Sequence, residues 1–229
     1  MRKRVIVISL GGSLIVPKKM DISFLEKFKK ILRKHYKKYR FVIVCGGGEI
    51  ARKYISALKK EHKSKKAQSL AGIRATRTNA KFMMQFFGED ANSTLPYTMK
   101  EVKALLRKNN TVFCGGLRYK SEATSDTTTA NLANFFNTSL INITNVKGLY
   151  TSDPKTSKNA KFIPKISWKN FEKMALKRKY KPGQHFILDA KAAILIKRYK
   201  ILSYIMGKNL RNLDKIINSK PFIGTYIAR

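Results

Sequence analysis

Phe41-Val42-Ile43-Val44-Cys45-Gly46-Gly47-Gly48-Glu49-Ile50-Ala51-Arg52 runs from an uninterrupted apolar stretch, through three glycines, into a segment of helical period. A short, β-branched apolar run bounded by glycines reads as a strand buried on both faces. A strand that passes into a helix through so short a turn is the opening of a βαβ unit, so the chain is predicted to build a parallel sheet. The helix is predicted to start at Gly48. Three glycines at that junction are expected to leave unpaired N–H groups facing outward, and the helix dipole adds positive potential there. Arg52, one turn in, can reach the same anion. A tight turn needs only one glycine, so three favour phosphate binding over a plain turn.

The rest of the chain repeats the alternation. Apolar runs at Val5–Ser9, Thr111–Cys114, Ser139–Thr144, Ile201–Met206 and Ile223–Ile227 read as further strands. Phe24, Leu25, Phe28, Ile31 and Leu32 mark one face of a helix after Asp21, a plausible N-cap. Further helices are predicted near Ser69–Phe87, Met99–Lys108, Ser125–Asn137, Ser167–Lys179, Leu188–Tyr199 and Leu210–Asn218. With 229 residues, 43% of them hydrophobic, the chain fits a single α/β domain over 1–229. No repeat or low-complexity linker interrupts it, and no apolar stretch has the length of a membrane span.

In an open α/β sheet, ligands bind beyond the carboxyl ends of the strands, and four polar, glycine-bearing turns fall there. The first is Gly11-Gly12-Ser13 and the second Gly46-Gly47-Gly48 with Arg52. The third is Gly115-Gly116, a polar loop and Ser125-Asp126-Thr127-Thr128, where Ser125 reads as an N-cap with Asp126 in the first helical turn. Capping electrostatics alone would explain Asp126; the functional alternative is a carboxylate that orients a lysine or Mg²⁺ at phosphates. The fourth is Thr144-Asn145-Val146-Lys147-Gly148-Leu149-Tyr150-Thr151-Ser152-Asp153-Pro154, a ligand-contacting loop with a tyrosine placed to stack on a base.

The charge is extreme: 49 basic against 13 acidic residues, a net +36. Such a chain attracts polyanions in low salt. The basic residues are nevertheless scattered, without zinc-finger spacing or an RNP-type motif, so nonspecific nucleic-acid association is expected rather than a dedicated site. Cys45 and Cys114 read as reduced strand-end thiols. His35 and His62 are expected on solvated, lysine-rich helix faces. His185 sits in Pro182-Gly183-Gln184-His185 before a helix, where capping or a nucleotide contact would suit it. Trp168 reads as a packing anchor. The cluster Phe82, Met83, Met84, Phe86, Phe87 is expected at a subunit interface.

These turns, in this order and spacing, resemble the archaeal-type uridylate kinases of the amino-acid-kinase superfamily, from about Val5 to Thr225. Gly72-Ile73-Arg74-Ala75-Thr76-Arg77-Thr78-Asn79-Ala80, Ala160–Ile166, Leu188-Asp189-Ala190-Lys191-Ala192-Ala193 and Gly224-Thr225 add to the match. The resemblance implies a three-layer αβα sandwich with a mainly parallel central sheet. It places the acceptor in about 1–138 and ATP in about 139–229. It implies γ-phosphoryl transfer from ATP–Mg²⁺ to UMP, with no metal held directly by the protein. ATP contacts would come from Gly11, Gly12, Ser13, Gly48, Arg52, Thr144, Asn145, Tyr150 and Asp153. Acceptor contacts would come from Gly46, Gly47, Ser69, Thr124 and Ser125, with Asp126 and Lys161 catalytic. It further implies a cytoplasmic homo-oligomer built from dimers, up to a hexamer.

Four departures from the family pattern stand out. Ser69 replaces an aspartate that holds the acceptor ribose. The loop Leu117–Ser125 is longer than usual and lacks Pro, Gly and His. Lys147 replaces an aspartate. Ser9 stands where bacterial relatives carry a phosphate-binding lysine, leaving Lys18, Lys19 or Lys161 to supply that cation. Three of the changes concern the acceptor or the phosphates it receives. They fit a kinase with an altered acceptor, or a slow enzyme, better than a uridylate kinase of ordinary type, and they also fit a nucleotide- or RNA-binding scaffold that has lost turnover.

Overall fold

The computed structural model describes residues 3–119, 124–154, 156–177 and 188–229. Its first part runs β1 (Arg4–Leu10), α1 (Gly12–Ile15), α2 (Ile22–Lys34), β2 (Tyr39–Cys45), α3 (Gly48–Lys60) and α4 (Lys65–Phe87). Next come α5 (Met99–Leu105), β3 (Thr111–Cys114), α6 (Ser125–Phe135), β4 (Leu140–Ile143), β5 (Leu149–Tyr150) and β6 (Phe162–Ile163). The chain then adds β7 (Lys165–Ser167), α7 (Trp168–Lys177), α8 (Ala190–Arg198), β8 (Ser203–Met206), α9 (Arg211–Ile217) and β9 (Thr225–Ala228).

Seven strands share one sheet in the order β3-β2-β1-β4-β8-β9-β7, while β5 and β6 form a separate hairpin. Within the seven-stranded sheet all pairings are parallel except β8 with β9, so β9 and β7 run against the other five strands. The mainly parallel sheet flanked by helices that the alternating pattern predicts is what forms, and with it the αβα sandwich that the resemblance implies.

Strand side chains alternate between two cores. Ile6, Ile8, Leu10, Phe41, Ile43 and Phe113 face one side, against Phe24, Leu25 and Phe28 of α2, Met83 and Phe87 of α4, and Leu213 of α9. Val7, Val42, Val44, Val112 and Leu140 face the other, against Leu132 of α6, Phe171 of α7 and Ile196 of α8. Right-handed crossovers account for the layering. From β1 the chain steps outward to β2 and β3 with α2 and α4 on the first face. It then returns past β1 to β4 and β8, with α6, α7 and α8 on the second.

Several local details differ from the sequence reading. His35 is buried, 7% exposed, with Nε2 2.8 Å from Asp214 Oδ1. It continues the inward stripe of α2, and its partner lies far along the chain on α9. His62 is exposed, in the left-handed conformation that closes α3. Met83, Met84 and Phe87 are core residues rather than an interface, with Phe87 edge-on to Phe113 at 4.6 Å between ring centroids. Phe82 and Phe86 pack at that core's margin. Helix α4 starts at Lys65 because Ser64 caps it, accepting from Ala67 N at 3.2 Å. Asp21 caps α2 as predicted, accepting from Phe24 N at 3.0 Å, and Trp168 Nε1 donates to Ile201 O at 2.9 Å. Cys45 and Cys114 are free and buried in opposite cores; burial pushes both thiols up, Cys114 to about 12. His185 and its neighbours lie outside the described residues. Among those described, no helix is long and apolar enough to cross a membrane.

Phe28 is fully buried and contacts both Phe24 and Phe87. Phe28→Ala should therefore cost about 3–5 kcal/mol of stability, read as a lower urea midpoint with an unchanged m-value.

Candidate active site

The chain reverses its direction of travel between β1 and β4, and a cleft opens beyond their carboxyl ends, where such sheets bind ligands. Ser9 and Asn142 sit side by side there in the parallel register. Each is only 3% exposed, yet both reach the cleft floor. Neither was singled out as a ligand from sequence, although a polar residue inside an apolar run is a legible signal. Around them stand Gly11, Gly12, Ser13, Gly46, Gly47, Gly48, Arg52, Ser125, Asp126, Thr144, Asn145, Tyr150 and Asp153. The four polar turns thus converge on one cleft.

The two glycine turns touch through their backbones. A Cβ on Gly12 would lie 2.2 Å from Gly48 N and 2.5 Å from Gly46 O, so no side chain fits. Gly48 has φ +64°, which favours glycine on conformational grounds as well. Gly11 N donates to Ile143 O at 3.0 Å and Gly46 N to Leu10 O at 2.9 Å. The Gly46 N–H is therefore tied to β1 and does not face outward unpaired, as the triplet alone suggested. Part of the reason for three glycines is steric: the loops must pass within contact distance. Their effect is to bring the starts of α1 and α3 together at one wall of the cleft, which concentrates positive potential there.

Helix α4 fixes this arrangement from behind. Asn79, buried, donates through Nδ2 to Gly46 O at 2.7 Å. Thr76 Oγ1 accepts from Gly116 N at 2.8 Å and donates to Ile73 O at 2.7 Å. A Cβ on Gly115 would lie 2.6 Å from Arg77 N, which explains the first glycine of that pair. Ser69, also on α4, lies outside the cleft wall.

At the start of α6 the cap is Thr124, not Ser125. Thr124 Oγ1 accepts from Thr127 N at 3.1 Å, and Thr127 Oγ1 accepts from Thr124 N at 2.8 Å, a reciprocal capping box. Thr124 also donates to the carboxylate of Asp189, the N-cap of α8, which accepts from Ala192 N at 2.8 Å. The Asp189 N–H in turn lies 3.4 Å from Asp126 Oδ2. Two carboxylates at two helix starts thus meet beside the cleft, a pairing that sequence reading missed because the residues are far apart in the chain. Burial, then the charge of Asp189, pushes the Asp126 carboxyl up from 3.8 to about 7, against the smaller pull of the Asp189 N–H.

On the opposite wall, Thr144 N donates to Met206 O at 2.9 Å. The β5–β6 hairpin carries Tyr150, which meets Phe162 edge-on at 5.4 Å. Thr225 Oγ1 anchors the hairpin, accepting from Leu149 N at 2.8 Å and donating to Ile163 O at 2.6 Å. Lys161 is exposed beside the hairpin, its N–H donating to Thr151 Oγ1 at 2.9 Å, and it is not part of the cleft wall.

Two predictions arise from this geometry. Gly12→Ala should force the glycine turns apart and lower the melting temperature by several degrees, whereas Gly88→Ala, whose Cβ meets nothing within 4 Å, should be milder and limited to the strain of φ +59°. For Asp126 the folded carboxyl titrates above the unfolded one, so its contribution is most favourable at low pH and is lost as pH rises towards about 7. Asp126→Asn should therefore melt higher than the parent at pH 8 and show no such gain near pH 4 in thermal scans.

Residues 4–207 match the amino acid kinase family. The uridylate kinase of Thermococcus kodakarensis is 33% identical over 204 residues, covering 89% of this chain and 90% of that protein. That of Thermoplasma acidophilum is 34% identical over 224 residues, covering 97% and 96%. The crystal structure of uridylate kinase from Archaeoglobus fulgidus matches with a TM-score of 0.84 at 30% identity, over 98% of this chain and 100% of that one. With a family match over residues 4–207, relatives this similar over nearly their whole length and a shared overall fold, the chain belongs to the amino acid kinase family.

Proposed function

We propose that the protein is an ATP-dependent uridylate kinase, a cytoplasmic enzyme that transfers the γ-phosphate of ATP to UMP and releases UDP and ADP. The observation that carries this reading is the single cleft in which interlocked glycine turns, the start of α6 with Asp126, and the Thr144–Asp153 loop meet. Phosphoryl transfer demands little covalent chemistry from a protein and much positioning of charge, and this cleft is rich in backbone amides and helix starts.

On this reading Gly11, Gly12, Ser13 and Gly48 hold the ATP phosphates. Thr144, Asn145, Tyr150 and Asp153 hold the nucleoside, with Tyr150 offering a ring face to the base. Gly46, Gly47, Thr124 and Ser125 belong to the acceptor side. Ser69 would contact the acceptor only from outside the wall, in keeping with a hydroxyl that has replaced a carboxylate. Arg52 already stands in the wall and is the better-placed cation for the transferring group; Lys161 would have to reach in from the rim. Mg²⁺ arriving with ATP would neutralise phosphate charge while held by phosphate oxygens and water. Asp126, once ionised, orients the cationic groups. The assembly is proposed to be a homo-oligomer built from dimers.

A coupled ADP-release assay with ATP–Mg²⁺ and a panel of UMP, CMP, dUMP, AMP and GMP should show UMP as the preferred acceptor. Preference for another monophosphate would move the substrate, and ATP binding without turnover would point to a scaffold. Asp126→Asn should lower kcat about 10²-fold or more. Because burial and Asp189 hold the Asp126 carboxyl near 7, parent activity should fall on the acid side of that value, and residual activity of the variant should not. A secondary association with nucleic acid is supported by Lys59, Lys60, Lys63, Lys65 and Lys66, all exposed at the turn between α3 and α4. Binding of a labelled RNA should weaken steeply with salt and be unaffected by Asp126→Asn.

A further inference from the structure

The acceptor-side reading rests on the loop that links β3 to α6, and one side chain outside the cleft grips its beginning. Arg77, half-buried on α4, donates from Nε to Gly116 O at 3.0 Å and from a terminal nitrogen to Leu117 O at 2.8 Å. Its guanidinium also lies over the ring of Tyr97, 4.5 Å from the centroid. Tyr97 O accepts from Arg118 N at 2.9 Å, and Tyr97 N donates to Glu101 Oε2 at 2.8 Å. With Thr76 holding Gly116 N, Gly116, Leu117 and Arg118 are each tied by their backbone to a fixed element. The far side of the loop is tied separately, through the capping box of Thr124 and its bond to Asp189. No carboxylate pairs with Arg77 among the described residues, so its bonding capacity is directed at these two carbonyls and one ring. Two residues further along the same helix, Asn79 holds Gly46 O of the glycine turn.

We propose that Arg77 is a positioning residue for the phosphate acceptor: from one rigid helix it sets where the acceptor loop begins relative to the Gly46–Gly48 turn, without itself touching substrate. A planar fork that holds two successive carbonyls and stacks on a ring is a task for arginine and not for lysine. Without it Gly116, Leu117 and Arg118 sample other positions, and the acceptor meets a competent site only part of the time. Apparent affinity for the acceptor then falls in proportion to the competent fraction. ATP contacts on the far wall are left in place.

The test compares the parent with Arg77→Met, Arg77→Lys and, as a control on the same helix, Arg74→Met, whose side chain is exposed. Arg77→Met should raise KM for UMP about tenfold or more, the scale expected for losing two charge-assisted hydrogen bonds. KM for ATP should stay within about twofold. Arg77→Lys should rescue little, and Arg74→Met should behave as the parent. Equal shifts in both KM values, or a lower melting temperature with both KM values unchanged, would overturn the proposal. Hydrogen exchange on the ligand-free proteins gives an independent reading: the Gly116 and Arg118 amides should exchange about tenfold faster in Arg77→Met, while the Gly46 amide should not. Unchanged exchange at Gly116 and Arg118 overturns the positioning role whatever the substrate. If the parent turns over no monophosphate, the proposed function fails on its own, and the exchange experiment still decides the role of Arg77.

Discussion

The contact between Gly12 and the Gly46–Gly48 turn is the constraint on which the cleft depends. Two loops from neighbouring parallel strands meet backbone to backbone, with no space for even a methyl group between them. Their approach is enforced by the β1–β2 register, in which Leu10 pairs with Cys45 so that both strands end at the same level. It is reinforced by Gly46 N bonding back to Leu10 O. Because both loops open directly into helices, bringing them together also brings two helix starts together. The anion-attracting character of the cleft is thus a by-product of close packing, and it persists whether or not a charged side chain is nearby.

Around this contact, polar side chains work mainly on the backbone. Asn79, Thr76 and Arg77 bond carbonyls and amides of the loops, while Thr225 does the same for the hairpin on the other wall. Loop carbonyls beside a cleft would otherwise be partly buried without partners, which is costly. One set of bonds therefore satisfies the loops and fixes their positions. Asp126 also meets a backbone N–H, that of Asp189, but its setting differs. It is held close to a second carboxylate, in a setting that disfavours its charge, an arrangement more typical of working sites than of structural ones.

Much of this could be read from residue order. The apolar runs identified the six longest strands, since doubly buried strands carry few polar residues, and of the polar residues within them Ser9 and Asn142, on the adjacent strands β1 and β4, mark the cleft floor. The glycine clusters located the loops. What could not be read depended on partners distant in sequence. His35 looked solvated among lysines because Asp214 lies 179 positions away. Asp189 gave no sign of meeting Asp126, and Arg77 resembled any helix arginine, because its partners are carbonyls that carry no residue identity. Ser125 was mistaken for the cap because Thr124 and Ser125 are chemically equivalent there; the reciprocal bond with Thr127 decides between them.

The anchoring of the β5–β6 hairpin by Thr225 has a consequence for the order in which the molecule can be made. Leu149 and Thr225 are 76 residues apart, and synthesis proceeds from the amino end at about 5–20 residues per second. For several seconds the glycine turns and the strands β1 to β4 can already be in place while the hairpin lacks its anchor. A half-made chain would carry one finished wall of the cleft and one slack one. Until Thr225 arrives, Leu149 N and Ile163 O lack the hydroxyl that joins them, so the wall built first is firm before the wall built second.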